Sequence, residues 1–296
     1  MTLEIFLPYW GDPGLLRETV ASVFAQRNPD WRLTILDDHY PHPQAGEWFG
    51  SLGDDRVTYV RHPTNLGITA NYREAVRRAS EPYMVLLGSD DLLHRDYVDV
   101  ITRTAAAVPF ADVIQPGVDV IDEHGRPVRP LADRVKKGLL TPRHGSGISI
   151  LSGQSMATSL IRGDWLYWPS LAFRTETLKR IDFREGLPII QDLALLMDVA
   201  FDGGTLAYNP STAFSYRRHA RSASQRTLLD GTRFRDERRY YAIARELASE
   251  RGWVATARAA RLRVMSRLHA VTELPAVIGH RNARGIQSTL AHIVAP

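Results

Sequence analysis

Two pairs of adjacent carboxylates are the residues of this chain whose type and spacing best suit chemistry. Asp90 and Asp91 follow the apolar run YMVLL, and Asp37 and Asp38 follow the apolar run LTIL. Neighbouring carboxylates repel each other unless a cation sits between them and a ligand. Hard divalent ions take oxygen ligands and complete their shell with phosphate oxygens, so an acidic pair facing a crevice suits a cation–diphosphate complex. A carboxylate at the other strand end could accept hydrogen bonds from a base N–H or from ribose hydroxyls. Both pairs also fit a structural role as helix caps or turn residues. Trp165, Tyr167 and Trp168 are spaced either to stack on a sugar face or to join the core.

These residues must be placed by the elements around them. Leu3–Leu7, Leu33–Leu36, Val57–Val60 and Tyr83–Leu87 read as short buried strands, with a further strand at Asp112–Gln115. Between them lie helical patterns, one from Pro13, one over Ile68–Ala79 and one carrying Tyr97, Val98 and Ile101. Strand–helix alternation at this spacing predicts an α/β fold with a mostly parallel sheet covered on both faces. Ligands bind such sheets beyond the carboxyl ends of the strands. The polar signals Pro8-Tyr9-Trp10, Asp37-Asp38 and Asp90-Asp91 all fall at those ends.

From about residue 126 to 154 the pattern dissolves into charged and Gly/Ser-rich sequence, which predicts a mobile loop near 130–155. Order returns with a helix near Ile189–Phe201 and a strand at Thr205–Tyr208. Beyond Thr232 the chain reads as helical, with breaks expected near Gly252, Pro275 and Gly279. The expected organisation is therefore 1–115, a nucleotide-binding half; 116–228, an acceptor half of the same domain; and 229–296, an Arg-rich helical extension. On a helical projection, Val264, Met265, Leu268 and Val271 share one side, a face expected to pack, with a lipid surface or a second copy as the other options.

The 296 residues, 44% of them hydrophobic, are ample for a full core. There is no Cys, which excludes disulfides and thiolate chemistry. No stretch approaches the roughly 18 apolar residues of a membrane span, and the N-terminal residues lack a basic, then apolar, signal pattern, so a cytoplasmic location is expected, with contact at the inner membrane face left open. The net charge is only +4, but the segment from Phe214 to Val271 carries 14 Arg, no Lys and five acids, leaving the rest of the chain at −5. That asymmetry points to an anionic partner or to Arg as the default surface cation. No nucleic-acid recognition module accompanies it.

The chain resembles family 2 glycosyltransferases of the GT-A fold from Leu3 to about Ser224. The resemblance is carried by FLPYW, ILDDHY, NLGITANYREAVRRA, YMVLLGSDDLLHRDYVD, the run from PSLAFRTETLKRIDF to GLPIIQDLALLMDVAFDGG, and FSYRRHARSAS, in that order. It implies that Pro8 and Tyr9, with Asp37 or Asp38, line a nucleoside pocket, and that Asn65, Gly67 and Asn71 form the loop near base and ribose. Asp90 would contact the ribose or the metal, and Asp91 would be the main carboxylate for Mg²⁺ or Mn²⁺. Asp192 matches the residue that deprotonates the acceptor, although its position also suits a helix cap. His219 matches a position that ligates the metal in some members, and neighbouring arginines would favour its neutral, metal-binding form. Arg217 and Arg218 could neutralise a diphosphate, and Trp165, Trp168 and Gln191 are the expected sugar contacts.

The implied activity is inverting transfer of a sugar from a UDP-, GDP- or dTDP-linked donor to a hydroxyl acceptor. Three departures stand out: Gly88 where many members begin a D-x-D triplet, Gln191 where many have Glu, and no arginine before Asn71. A nucleotide-sugar-binding protein without transferase activity is the principal alternative. A sugar nucleotidylyltransferase would carry a Gly-rich basic loop after the first strand, where this chain has PYWGDPG. An oxidoreductase would show G-x-G-x-x-G there.

Overall fold

The structure, a computed structural model, describes residues 1–294 apart from 43, 131–137, 139, 143–146, 219–226 and 228–230. The first half runs β1 (Leu3–Tyr9), α1 (Pro13–Phe24), β2 (Trp31–Asp37), α2 (Gln44–Gly50), β3 (Val57–Arg61), α3 (Ile68–Arg78), β4 (Tyr83–Leu86), β5 (Leu92–Leu93) and α4 (Tyr97–Ala107). Next come β6 (Val113–Ile121), β7 (Ser149–Ser152), α5 (Gly153–Arg162), a 3₁₀ turn at Trp168–Ser170, β8 (Ala172–Arg174), α6 (Thr175–Arg180), α7 (Gln191–Phe201) and β9 (Thr205–Arg217). Four helices close the chain: α8 (Thr232–Glu250), α9 (Val254–Leu262), α10 (Val264–Gly279) and α11 (Ala283–Val294).

Among the described residues nine strands form one sheet in the order β3-β2-β1-β4-β8-β6-β9-β5, with β7 also on β9. The N-terminal part, β3-β2-β1-β4, is parallel throughout, as alternation with helices requires. Beyond it the sheet is mixed: β8 runs antiparallel to both β4 and β6, while β6 and β9 are parallel. The carboxyl ends of β1, β2, β4, β6 and β9 therefore open at one edge, and that edge carries the chemistry.

Strand alternation sorts the core onto two faces. Ile5 and Leu7 of β1, Leu33 and Ile35 of β2 and Val85 of β4 pack under α1 and α4. Phe6, Leu36, Met84 and Leu86 point the other way, into a core with α5, α7 and α8. The start of α1 is fixed by Asp12, whose Oδ1 accepts from the Gly14 and Leu15 N–H groups at 2.7 and 3.2 Å with Pro13 in the first turn. Such a cap contributes about 1 kcal/mol.

Two strands, β6 and β9, run further than the expected Asp112–Gln115 and Thr205–Tyr208. β6 passes through Pro116-Gly117, where its register with β9 shifts, and a Cβ on Gly117 would lie 2.5 Å from the Pro210 carbonyl oxygen. A sequence that reads as a strand stop is thus a bulge, made possible by close backbone approach at glycine. The expected loop at 130–155 is partly outside the described residues, but its last part is ordered as β7 and the first turn of α5. At the C-terminus the breaks fall at Gly252 and after Gly279, whereas α10 continues through Pro275 and the remaining break is at Arg263, in the left-handed region at φ 46°. α8 joins the main core through Tyr240, Tyr241, Ala244 and Ala248, while its Phe234 forms a small separate cluster with Ala270, Val277, Ile286 and Ile293 of α10 and α11.

Candidate active site

β4 ends at Leu86, and the turn Gly88-Ser89-Asp90-Asp91 crosses the open edge of the sheet before β5. Asp91 is only 1% exposed. A Cβ on Gly88 would lie 2.5 Å from Asp91 Oδ2 and 3.1 Å from Asp90 Oδ1, so both carboxylates converge over this one residue. Glycine at 88 therefore makes room for the pair, which accounts physically for the departure from a D-x-D triplet.

Arg217, at the end of β9, fixes this turn. Its backbone N–H donates to Asp91 Oδ1 at 2.8 Å and its Nε to the Asp90 carbonyl at 2.7 Å. Nη1 donates to the Glu123 carbonyl at 3.2 Å and Nη2 to Glu18 Oε2 on α1 at 2.7 Å. The guanidinium is buried and fully engaged, so the expectation that Arg217 faces a diphosphate is corrected: it braces the acidic turn. Arg218 is exposed, with its guanidinium 5.7 Å from the Tyr216 ring centre, and remains the candidate cation at this edge. His219 lies outside the described residues, and among those described no three His, Asp or Glu side chains form a metal cluster.

The second acidic pair does two different jobs. Asp37 is fully buried; it accepts from the Tyr40 N–H at 2.7 Å, from the Tyr59 hydroxyl and from Arg61 at 3.4 Å. Asp38 accepts from the Leu66 and Gly67 N–H groups at 2.6 and 2.9 Å, and Asn65 donates to its carbonyl at 3.0 Å. This closes the 65–67 loop onto β2, with Gly67 at φ 81° opening α3. Asn71, 1% exposed, bridges the Leu36 carbonyl and His62. Asp37 and Asn71 are thus internal braces and not ligand contacts.

α3 then reaches across the cleft. Thr69 donates to Gln191 Oε1 at 2.6 Å, so Gln191, 7% exposed, ties the start of α7 to α3. Asp192 follows it in the first turn of α7, with Oδ1 accepting from the Leu193 N–H at 2.8 Å. Tyr72, one position after Asn71, lies stacked on Phe183 and 5.6 Å from it, with Trp168 at 5.8 Å. Burial pushes the Tyr72 hydroxyl well above its ordinary range, and the charges of Asp192, Asp90 and Asp91 push it further, against the Trp168 indole beside it. Sequence reasoning did not single out Tyr72.

The aromatic expectations need revision. Trp165 is 2% exposed, edge-on to Tyr208 and bonded to Ser159; Trp168 packs on Phe173 and Phe183. Both are core residues, selected by the apolar groups around them. Pro8 and Tyr9 are likewise buried within β1, and burial raises the Tyr9 hydroxyl. The exposed aromatic at this strand end is Trp10, 55% exposed and edge-on to Tyr40 at 6.0 Å. Alternation along β1 could have indicated it, because Tyr9 points inward where Trp10 leaves the sheet.

The fold is shared with a crystal structure of S. aureus TarS 1-349 in complex with UDP-GlcNAc, at a TM-score of 0.64, 13% identity, and 99% and 90% coverage of the two chains. The full TarS chain matches at a TM-score of 0.63 and 14% identity, with 99% of this chain and 53% of TarS covered. The architecture is therefore GT-A, with a helical C-terminal region. A family model described as "Glycosyl transferase family 2" matches residues 4–159, and the chain belongs to that family. It is 33% identical over 100 residues to the succinoglycan biosynthesis protein ExoW of Rhizobium meliloti, covering 32% of this chain and 31% of that protein. It is 28% identical over 90 residues to the putative colanic acid biosynthesis glycosyl transferase WcaA of Escherichia coli, with 30% and 32% covered. The chain thus spans about a third of the length of these two relatives.

Burial and then Asp90 raise the Asp91 carboxyl well above its usual range, while the Arg217 N–H and charge pull it back. A carboxyl raised on folding binds its proton more tightly in the native state, so cation-free stability falls as pH climbs from the unfolded value towards the folded one. Asp91→Asn keeps an acceptor for the Arg217 N–H. In chelator it is expected to melt above the parent at about pH 8, with a smaller gap at about pH 5. A variant that melts lower at both pH values would contradict this reading.

Proposed function

We propose that the chain is an inverting glycosyltransferase that moves a sugar from a nucleotide diphosphate donor to a hydroxyl acceptor. The observation that carries this reading is the convergence of Asp90 and Asp91 over Gly88 at the carboxyl edge of the sheet, with Asp192 in the first turn of α7. Family membership supports the reaction class, and the UDP-GlcNAc bound by TarS supports a nucleotide-linked donor.

The acidic pair fits a divalent cation, Mg²⁺ or Mn²⁺. Two carboxylates meet over a glycine, one of them buried with a raised pKa, an arrangement that a cation would relieve. Asp91, assisted by Asp90, would hold it, and such an ion supplies Lewis-acid stabilisation of charge on the leaving diphosphate. Arg218 adds positive charge at the same edge, and Arg217 keeps the turn in place. Trp10 offers an exposed ring for the base at the end of β1, edge-on to Tyr40.

Across the cleft, Asp192 accepts the proton of the acceptor hydroxyl as that oxygen attacks the anomeric carbon from the face opposite the diphosphate. One displacement inverts the anomeric centre and requires no covalent enzyme intermediate. Burial keeps the Tyr72 hydroxyl protonated at neutral pH.

Asp192→Asn should reduce transfer by at least about 10²-fold while donor binding persists, the range for loss of a general base. Product formation from a nucleotide-sugar panel checks this; near-parental turnover would remove Asp192 from the base role. Trp10→Ala should weaken binding of a nucleoside diphosphate by roughly tenfold at unchanged thermal stability, the scale of one base–aromatic stack. Calorimetric titration measures it, and unaltered affinity would place the base elsewhere.

A further inference from the structure

α10 is inverted relative to an ordinary surface helix. Its buried positions are mostly small, with Ala270 and Val277 fully covered and Ser266 half-buried. Its opposite side presents Val264, Leu268, Val271 and Ile278 to solvent, at 55, 52, 49 and 51% exposure. Pro275 falls between the last two on the same side and is also exposed. Their spacing of four and three residues sets them in one continuous stripe. At 1.5 Å per residue the stripe from 264 to 278 is about 21 Å long. Leu262, Leu290 and Val294 add further exposed apolar surface on the neighbouring helices. Of the face expected to pack within the chain, Met265 is half-buried against Gly163, whereas among the described residues nothing covers Val264, Leu268 and Val271.

Charge distinguishes the occupants. Residues 251–294 contain seven Arg and a single acid, Glu273. Arg251, Arg258, Arg261, Arg281 and Arg284 are exposed, whereas Glu273 is half-buried and faces His269 at 3.5 Å. A second copy docking on this face would bring the same positive charge against itself. An anionic bilayer surface accepts the apolar stripe among its acyl chains and the arginines among its phosphates. Among the described residues no helix is long and apolar enough to cross a membrane, so α10 would lie in the plane of the interface.

We propose that the α10 face and its flanking arginines form a peripheral docking surface for anionic lipid bilayers. The full chain is mixed with extruded vesicles of phosphatidylcholine alone, or with roughly 30% phosphatidylglycerol, and sedimented. Binding is expected to the anionic vesicles, to weaken with added salt, and to fall about tenfold in Leu268→Asn/Ile278→Asn. A second variant, Arg261→Gln/Arg281→Gln/Arg284→Gln, should lose a comparable share of anionic binding while its melting temperature is unchanged. Both sets alter exposed side chains, so circular dichroism should match the parent. Equal binding to both vesicle types, or none to either, would overturn the proposal. So would a dimer in sedimentation equilibrium that the Leu268/Ile278 variant abolishes without any vesicle binding.

Discussion

The cleft depends on two adjacent carboxylates held face to face at the end of a buried strand. Left alone, Asp90 and Asp91 would separate or one would stay protonated, because like charges in a poorly hydrated site are costly. The structure holds them in place with Arg217, which bonds to Asp91 through its backbone and to Asp90 through its side chain. Arg217 in turn is anchored on α1 by Glu18 and on the turn after β6 by Glu123. The last residue of the last strand thus locks a turn formed some 126 residues earlier. Gly88 completes the device by leaving the volume into which both carboxylates lean.

The first two turns of α3 play the corresponding role on the far side. One helix start is bonded to β2 through Asp38 and Asn71 and to α7 through Thr69 and Gln191, and packs Tyr72 against Phe183 and Trp168. A shift of α3 would move the nucleoside wall and the proposed base together. That coupling explains why polar residues which look like ligand contacts are instead buried braces. A buried polar group without a partner is expensive, so each is satisfied internally, and the surface left for ligands is assembled from what these braces position.

Much of this was legible in the residues themselves. Apolar runs ending in Asp37 and Asp90 placed the strands and the binding edge, because a parallel sheet must bury its strands on both faces. Six motifs in order implied the family. Less accessible was the division of labour within the motifs. Asp37 and Asp38 are chemically identical and adjacent, yet strand alternation sends one inward and the other to the loop. Trp168 and Trp10 both suit stacking, and only tertiary packing decides that the first is core. The strand β6 hid behind Pro116-Gly117, where local propensity was overridden by pairing with β9. The apolar stripe of α10 was visible as periodicity, but periodicity does not say which side of a helix faces inward.

A cation held by Asp91 and Asp90 is expected to share one cavity with the carboxylate of Asp192. A crystal structure with Mn²⁺ and a nucleoside diphosphate tests it most directly. Anomalous density is expected between Asp91 and the diphosphate oxygens, with the base beside Trp10 and the Asp192 carboxylate facing the open side of the β-phosphate. Manganese bound elsewhere, or an Asp192 side chain turned to a different surface, would contradict it.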